Sequence, residues 1–345
     1  MTQVLSQDGY VLVKTQASKG VYANPGAAAP NKGVGVRIRS GALGGTRDLM
    51  VPDPEIGGNR DVPDAKLGPI RFEGEYQMYG RLESLATFLQ AALANKTDTV
   101  STGNANDGYT HTLKPGSEQV WLSVEEQIGG GFERFKYTDM AVNTFHLEAA
   151  ANGYLMMNAG LVGLTQAALG SGTAEADQRW DLSPLIVGTN VTVTRGGITL
   201  PAKSFSFDIN NNIENDDFRL GSLFLGNAQL KRREVTMSVT IRPEDHGYWR
   251  EAMWGSSTAT SPTGLSNKDD TVIHIESYED VAGITTPGTP YSLDITVPQS
   301  IIAPFNLSPS GDDVLQHDME IRAVRPDPAD DILTAVVVNS FATVA

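Results

Sequence analysis

The clearest pattern along the 345-residue chain is alternation. In SFSFDIN, Phe205, Phe207 and Ile209 fall on one side, and Ser204, Ser206 and Asp208 on the other. In EVTMSVTI, Val235, Met237, Val239 and Ile241 oppose Glu234, Thr236, Ser238 and Thr240. A period of two, rich in β-branched and aromatic residues, is what a strand shows when one face is buried and the other is wet. Similar patterns predict strands at 34–39 (VGVRIR), 70–76 (IRFEGEY), 120–126 (VWLSVEE), 190–194, 271–277, 291–297, 318–324 and 333–341. Helical spacing is clear only twice. One stretch is Arg81–Ala94, with Leu82, Leu85, Phe88, Leu89 and Leu93 in one stripe. The other is HGYWREAMW after Pro243, a residue suited to a helix start. The HLEAAANG stretch near 147–152 fits either a helical turn or a strand end. Strands dominate, so the fold class is mainly β.

The patterns also repeat. Val36 and Ile38 match Phe205 and Phe207 at an offset of 169, and Ile70 matches Val235 at 165, each strand of that pair running into a helix. His111 in YTHTL matches His274 in VIHIE at 163, and Phe145 and Leu147 match Phe305 and Leu307 at 160. Four pairs in one order with smoothly shrinking offsets predict a duplication. The expected organisation is an N-terminal arm (1–33) too rich in Gly, Pro and Ala to pack alone, a first module (34–165), a linker (166–199) and a second module (200–345). Each module is expected to be a β-sandwich or barrel with one flanking α-helix. A long loop, 44–68, separates the first two strands of the first module; its counterpart NNNIENDDFRLGSLFLGN is shorter. Loops of that length in compact domains are usually functional or ordered by a partner.

Composition narrows the chemistry. The net charge of −15 argues against a protein that grips nucleic acid by neutralising phosphates. No cysteine is present, which excludes disulfides and thiolate metal sites and suits a reducing cytoplasm. No apolar run reaches the length of a membrane span, and MTQVLSQDGYVLVKTQ lacks the basic and apolar regions of a secretory signal. The five histidines stand apart, and no nucleophile elbow or phosphate-cradling glycine loop occurs. A calcium-like DINNNIENDDF fails, with Ile213 where glycine is needed and Arg219 where a bidentate Glu is needed. Acidic pairs such as Asp216/Asp217 and Asp312/Asp313 read as solvated turn residues. Tyr248, Trp249 and Trp254 could stack on a sugar, but a helix covering a sheet needs such residues anyway. No catalytic residue, metal ligand or cofactor is predicted, and the chain reads as a non-enzyme.

The order of elements, with GYTHTLKPG, then YTDMAVNTFHLEAAANGYLMMNAGLVG, then KSFSFDINNNIENDDFRLGS, resembles the major tail tube proteins of long-tailed, non-contractile bacteriophages over roughly 35–325. The resemblance implies that six modules close into a ring whose inner strands form one barrel around a lumen. Rings then stack through arms and long loops into a tube that carries DNA to the host. With two modules per chain, a trimer with pseudo-sixfold character is expected. The implied partners are further copies of the chain and the tape measure, tail terminator and tip proteins. DNA would pass through without specific binding, and the protein would reside in the virion tail after assembly in the host cytoplasm.

Closure into a ring would also remove strand edges that otherwise invite aggregation. An acidic wall would hold DNA off within the Debye length of about 8 Å. The lumen-facing candidates are Glu73, Glu75, Asp208, Asp294, Thr236 and Ser238. Arg71 shares the face of Glu73 and Glu75, and Arg37 and Arg39 lie on the polar side of their strand, so these need ion-pair partners. The ring-stacking candidates are Arg47, Asp48, Asp53, Glu55, Arg60 and Asp61, together with the arm. Two other readings are a related tail-completion or injection tube protein, and a carbohydrate-binding β-sandwich of a fibre or adhesin.

Overall fold

The structure, a computed structural model, describes all residues except 1–8, 27–32, 57–60, 62–63, 96–99, 105–106, 128, 130–132, 172–178, 244, 265, 286, 308–314, 328–329 and 345. The first strands are β1 (Tyr10–Thr15), β2 (Val34–Val36), β3 (Ile38–Met50), β4 (Lys66–Tyr79) and β5 (Val100–Asn104). They are followed by β6 (Gly108–Leu113), β7 (Leu122–Gln127), β8 (Glu133–Ala150), β9 (Met156–Ser171) and β10 (Arg179–Trp180). The second half contains β11 (Val191–Arg195), β12 (Ile198–Thr199), β13 (Ala202–Asn210) and β14 (Glu234–Ile241). It ends with β15 (Asp269–Asp280), β16 (Pro290–Ile302), β17 (His317–Ala323) and β18 (Thr334–Asn339). Helix α1 (Leu82–Ala92) follows β4, and α2 (Gly247–Trp254) follows β14. The fold is mainly β, and the sheet does not close into a barrel within one chain.

The two halves pair their strands in one order. In the first, antiparallel ladders run β3–β4–β9–β8–β7–β1. In the second they run β13–β14–β17–β16–β15–β11. The helix follows the second strand of each series. The halves meet where β13 pairs with residues 144–150 of β8, and where β18 bridges β16 to β6.

Alternation drives the packing. The apolar sides of β13 and β14 are buried, and they share a core with Phe72, Tyr76, Phe145 and Leu147 from the first half. Each such large side chain contributes about 1.5–3 kcal/mol through loss of apolar surface to water. Every residue of α1 is buried, polar ones included, because second-half groups close over it. Asn211 and Arg233 donate to the C-terminal carbonyls of Ala92 and Leu93 (both 2.8 Å), which otherwise lack partners in the helix. By contrast, only Glu251 of α2 is buried. It pairs with buried Arg195 of β11 at 2.6 Å, and Arg195 also reaches Ser300 and Thr271, so an ion-pair network pins the helix.

Several expectations need correction. The predicted loop 44–68 is shorter than expected: β3 and β4 stay paired out to Met50 and Lys66, so that 51–65 connects them. The glycines of this hairpin permit close strand contact, since a Cβ on Gly41 (φ +107°) or Gly74 would strike the opposite strand's backbone. The arm is not wholly loose, because Tyr10–Val13 of β1 are buried against β7. The predicted linker 166–199 contains the end of β9 and all of β10, β11 and β12. HLEAAANG is the end of β8. His111 and His274 do not occupy like positions: β6 lies against β18, whereas β15 lies between β11 and β16, the place β7 takes in the first half. Phe145 lies in β8, while Phe305 follows the end of β16.

Candidate assembly surface

The ladder β3–β4–β9–β8–β13–β14–β17–β16 is one eight-strand sheet with a buried face and a polar face. Directly paired residues of antiparallel strands share a face. One row across it therefore reads Ser40, Gln77, Asn158, His146, Asp208, Thr236 and Arg322. The neighbouring row contains Glu148, Ser206, Ser238 and Glu320, and Glu73 and Glu75 stand on the same face of β4. Five of the six predicted lumen residues thus come together: Glu73, Glu75, Asp208, Thr236 and Ser238. Asp294 does not join them. It sits in the part of β16 that pairs with β15 and β18, where it accepts from His274 Nδ1 at 2.6 Å.

The face is acidic. Glu148, Glu234, Asp318 and Glu320, which sequence reading missed, add to Glu73, Glu75 and Asp208. Thr144, His146 and Glu148 do alternate with Phe145 and Leu147, so the signal was present in NTFHLE. Three of the basic residues on this side have partners within the chain. Arg71 pairs with Glu73 (3.3 Å), Arg322 with Glu320 (2.7 Å), and Arg39 stacks on Tyr79 at 5.3 Å. His146 lies 2.6 Å from Asp208 and 3.4 Å from Glu148; the Asp208 hydrogen bond, above all, raises its pKa.

Other surfaces are unfinished. Among the described residues β3 ladders only with β4, leaving its outer edge open. Beyond β16, Ala303 still donates to Glu320 O, but 303–307 form no strand. The β3–β4 hairpin projects past β9, which pairs with β4 only from Phe72 onward. On it Arg47 and Asp48 are exposed in β3, and Asp53, Glu55 and Asp61 are exposed in the connection; Arg60 lies outside the described residues. Leu49, Met50, Val51, Ile56 and Leu67 expose apolar surface there. The expected burial of the α2 aromatics is only partial. Tyr248 packs on the core, while Trp249 and Trp254 meet edge to face near the surface and Met253 is 39% exposed.

One buried cluster ties the halves together. Asp181 accepts from Ser84 N and Oγ and from Ser183 N and Oγ, and Ser340 Oγ donates to Glu83 beside it. Burial, reinforced by the nearby Asp181 charge, pushes Glu83 up to about 7; burial likewise takes Glu126 up to about 7. A carboxyl whose folded pKa exceeds its unfolded value holds its proton more tightly in the native state. Its contribution is therefore complete below about 4.5 and lost as pH rises through about 7, at roughly 3 kcal/mol for such a shift. Denaturation midpoints should accordingly fall between pH 5 and pH 8. Glu83→Gln should flatten that fall; an unchanged pH profile in the variant would remove Glu83 as its source.

A family model described as phage tail tube protein matches residues 6–323 of the chain. None of the curated proteins matches it in sequence.

Proposed function

Since the chain belongs to the phage tail tube protein family, we propose that three copies close into a pseudo-sixfold ring and that such rings stack into the tube of a long, non-contractile tail. The chain is a structural component of the virion tail that assembles with itself into a tube. No helix among the described residues is long and apolar enough to cross a membrane.

The observation behind the ring is the joint inside the chain. Two surfaces of the first half that the second half covers have counterparts in the second half that stand more open. The end of β8 receives β13, whereas among the described residues the segment after β16 has no strand outside it. Helix α1 is enclosed, whereas α2 shows Trp249, Met253 and Trp254. The free edge of β3 in one copy fits the place beside β16 and β17 of the next, as β13 fits beside β8. The common strand order of the halves supports twin modules over 34–165 and 200–345, flanking 166–199. β1 belongs with the first of them by its pairing to β7.

Ring closure of this kind makes the eight-strand sheet one third of a continuous wall. Its buried face looks into the core, so the acidic face is the one that meets the lumen. DNA passes along it without specific binding, held off by like charge. The hairpin β3–β4 reaches a neighbouring copy beyond the body, the N-terminal arm links ring to ring, and the tape measure, terminator and tip proteins meet the tube at its core and ends. Host-cytoplasmic assembly accords with the lack of cysteine. The family match leaves the carbohydrate-binding reading without support.

Negative-stain electron microscopy of the purified protein is the test. Hollow tubes whose end views average to a threefold ring with six similar lobes are expected. Solid fibres, or a monomer at every concentration tried, would end the reading.

A further inference from the structure

Building on the ring reading, one contact inside the chain identifies a specific seat on the next copy. The connection between β13 and β14 folds over the first half. Its Ile213, Leu225 and Ala228 cluster with Trp121, Val162 and Leu164. Ile70 N donates to Leu223 O at 2.8 Å and bridges Phe224, and Asn215 reaches Glu73 at 3.4 Å. This contact covers the start of β4 and the end of β9.

In the second half the same place in the pairing order is the start of β14 and the end of β17. There the chain has an open cleft of about 850 Å³, lined by Arg232, Arg233, Val235, Arg322, Val324 and Arg325 among others. We propose that this cleft receives the β3–β4 connection of the neighbouring copy in the same ring, entered by Val51–Ile56.

Three observations support the occupant. First, the connection 51–65 holds the position between β3 and β4 that the covering segment holds between β13 and β14. Its paired stem from Phe72 to Lys66 reaches about 20 Å beyond the sheet at ~3.3 Å per residue. Second, charge is complementary. VPDPEI carries Asp53 and Glu55 and no basic residue, whereas four arginines line the cleft, of which Arg322 already pairs with Glu320 and Arg233 with the carbonyls of Leu93 and Gly116. The cleft's own acids are Glu234, Asp330 and Asp331, and Lys114 engages Asp331 at 3.3 Å. Third, Ile56 is fully exposed and Val51 half exposed, apolar side chains without the cover that Trp121 and Leu164 give Ile213 and Leu225. Pro52 and Pro54 hold this stretch extended, so seating it surrenders little chain entropy.

The absence of cysteine makes cross-linking clean. Ile56→Cys combined with Ser117→Cys, or with Asp330→Cys, should give under oxidation a ladder on denaturing gels that stops at the ring size, because lateral contacts close on themselves. A ladder without end would mean contact between stacked rings and overturn the proposal. So would no cross-link in a preparation that microscopy shows to contain tubes, an outcome that leaves the ring reading standing. A preparation that never forms rings removes the ring reading and this inference with it. As a second arm, Arg232→Glu with Arg325→Glu should raise the concentration needed for assembly by about tenfold or more. Adding Asp53→Arg and Glu55→Arg should restore it. Normal assembly of the arginine variant, with altered retention of DNA, would make the cleft a phosphate site and overturn the proposal.

Discussion

Replacing residues 51–65 with Asn-Gly should yield a soluble, folded protein that makes no tubes. Met50 and Lys66 are direct partners across the hairpin, so two residues suited to a tight type I′ turn can close it there. The described residues removed are exposed and contribute nothing to either core cluster. The denaturation midpoint should therefore stay within about 0.5 kcal/mol of wild type. Assembly has much more to lose, because the connection is the part best placed to reach another copy. Cutting at the paired ends matters: excising all of 44–68 would also remove ladder residues that stand over Ile70 and Phe72. Sedimentation and microscopy decide the outcome. Tubes of normal length from the shortened chain would show that the connection has no part in assembly.

Reversing charge on the acidic face should do the opposite, sparing assembly and damaging transit. Glu75, Glu148 and Asp318 are exposed on that face and stand outside its arginine pairs. In the proposed ring, changing all three to Lys places positive charge around the full circumference, where it can displace counterions from DNA. The resulting attraction would fall steeply with salt. The expected results are tubes of ordinary appearance, DNA that co-sediments with them at low salt and releases at high salt, and genome delivery slowed at least tenfold. A Gln/Gln/Asn variant, which removes charge without reversing it, should show little retention. Unimpaired delivery by the lysine variant would mean that this face does not line the passage.

Much of the fold was legible because alternation in β13 and β14 is clean, with Phe, Ile, Val and Met on one side and Ser, Thr and Asp on the other. The α1 stripe was equally clear, but its polar side does not show its surroundings. Glu83, Ser84, Thr87 and Gln90 suggest a wet flank, yet all are buried, because Asp181, Ser340, Asn211 and Arg233 arrive from far along the chain. Nothing local announces that. Strand β3 read as loop because Gly41, Gly44 and Gly45 have low strand propensity, whereas in the hairpin glycine is what lets the strands meet. Strand β9, with Gly160, Gly163, Ala167 and Ala168, hid for a similar reason. The candidate face was legible strand by strand; its assembly into rows depended on register, which short patterns do not fix. Asp294 illustrates the limit: its alternation was right, but β16 changes partners midway, and the residue lies on the stretch that left the sheet.

The pairing of β13 with β8 has a consequence for how growth begins. Because one polypeptide supplies both strands, that junction forms at an effective concentration on the order of millimolar, whatever the dilution of free protein. Only the junctions between separate polypeptides then answer to mass action. In the proposed ring, initiation should depend on subunit concentration less steeply than it would for a ring assembled from six free modules, and the tether would fix the stoichiometry of alternating halves before the first encounter.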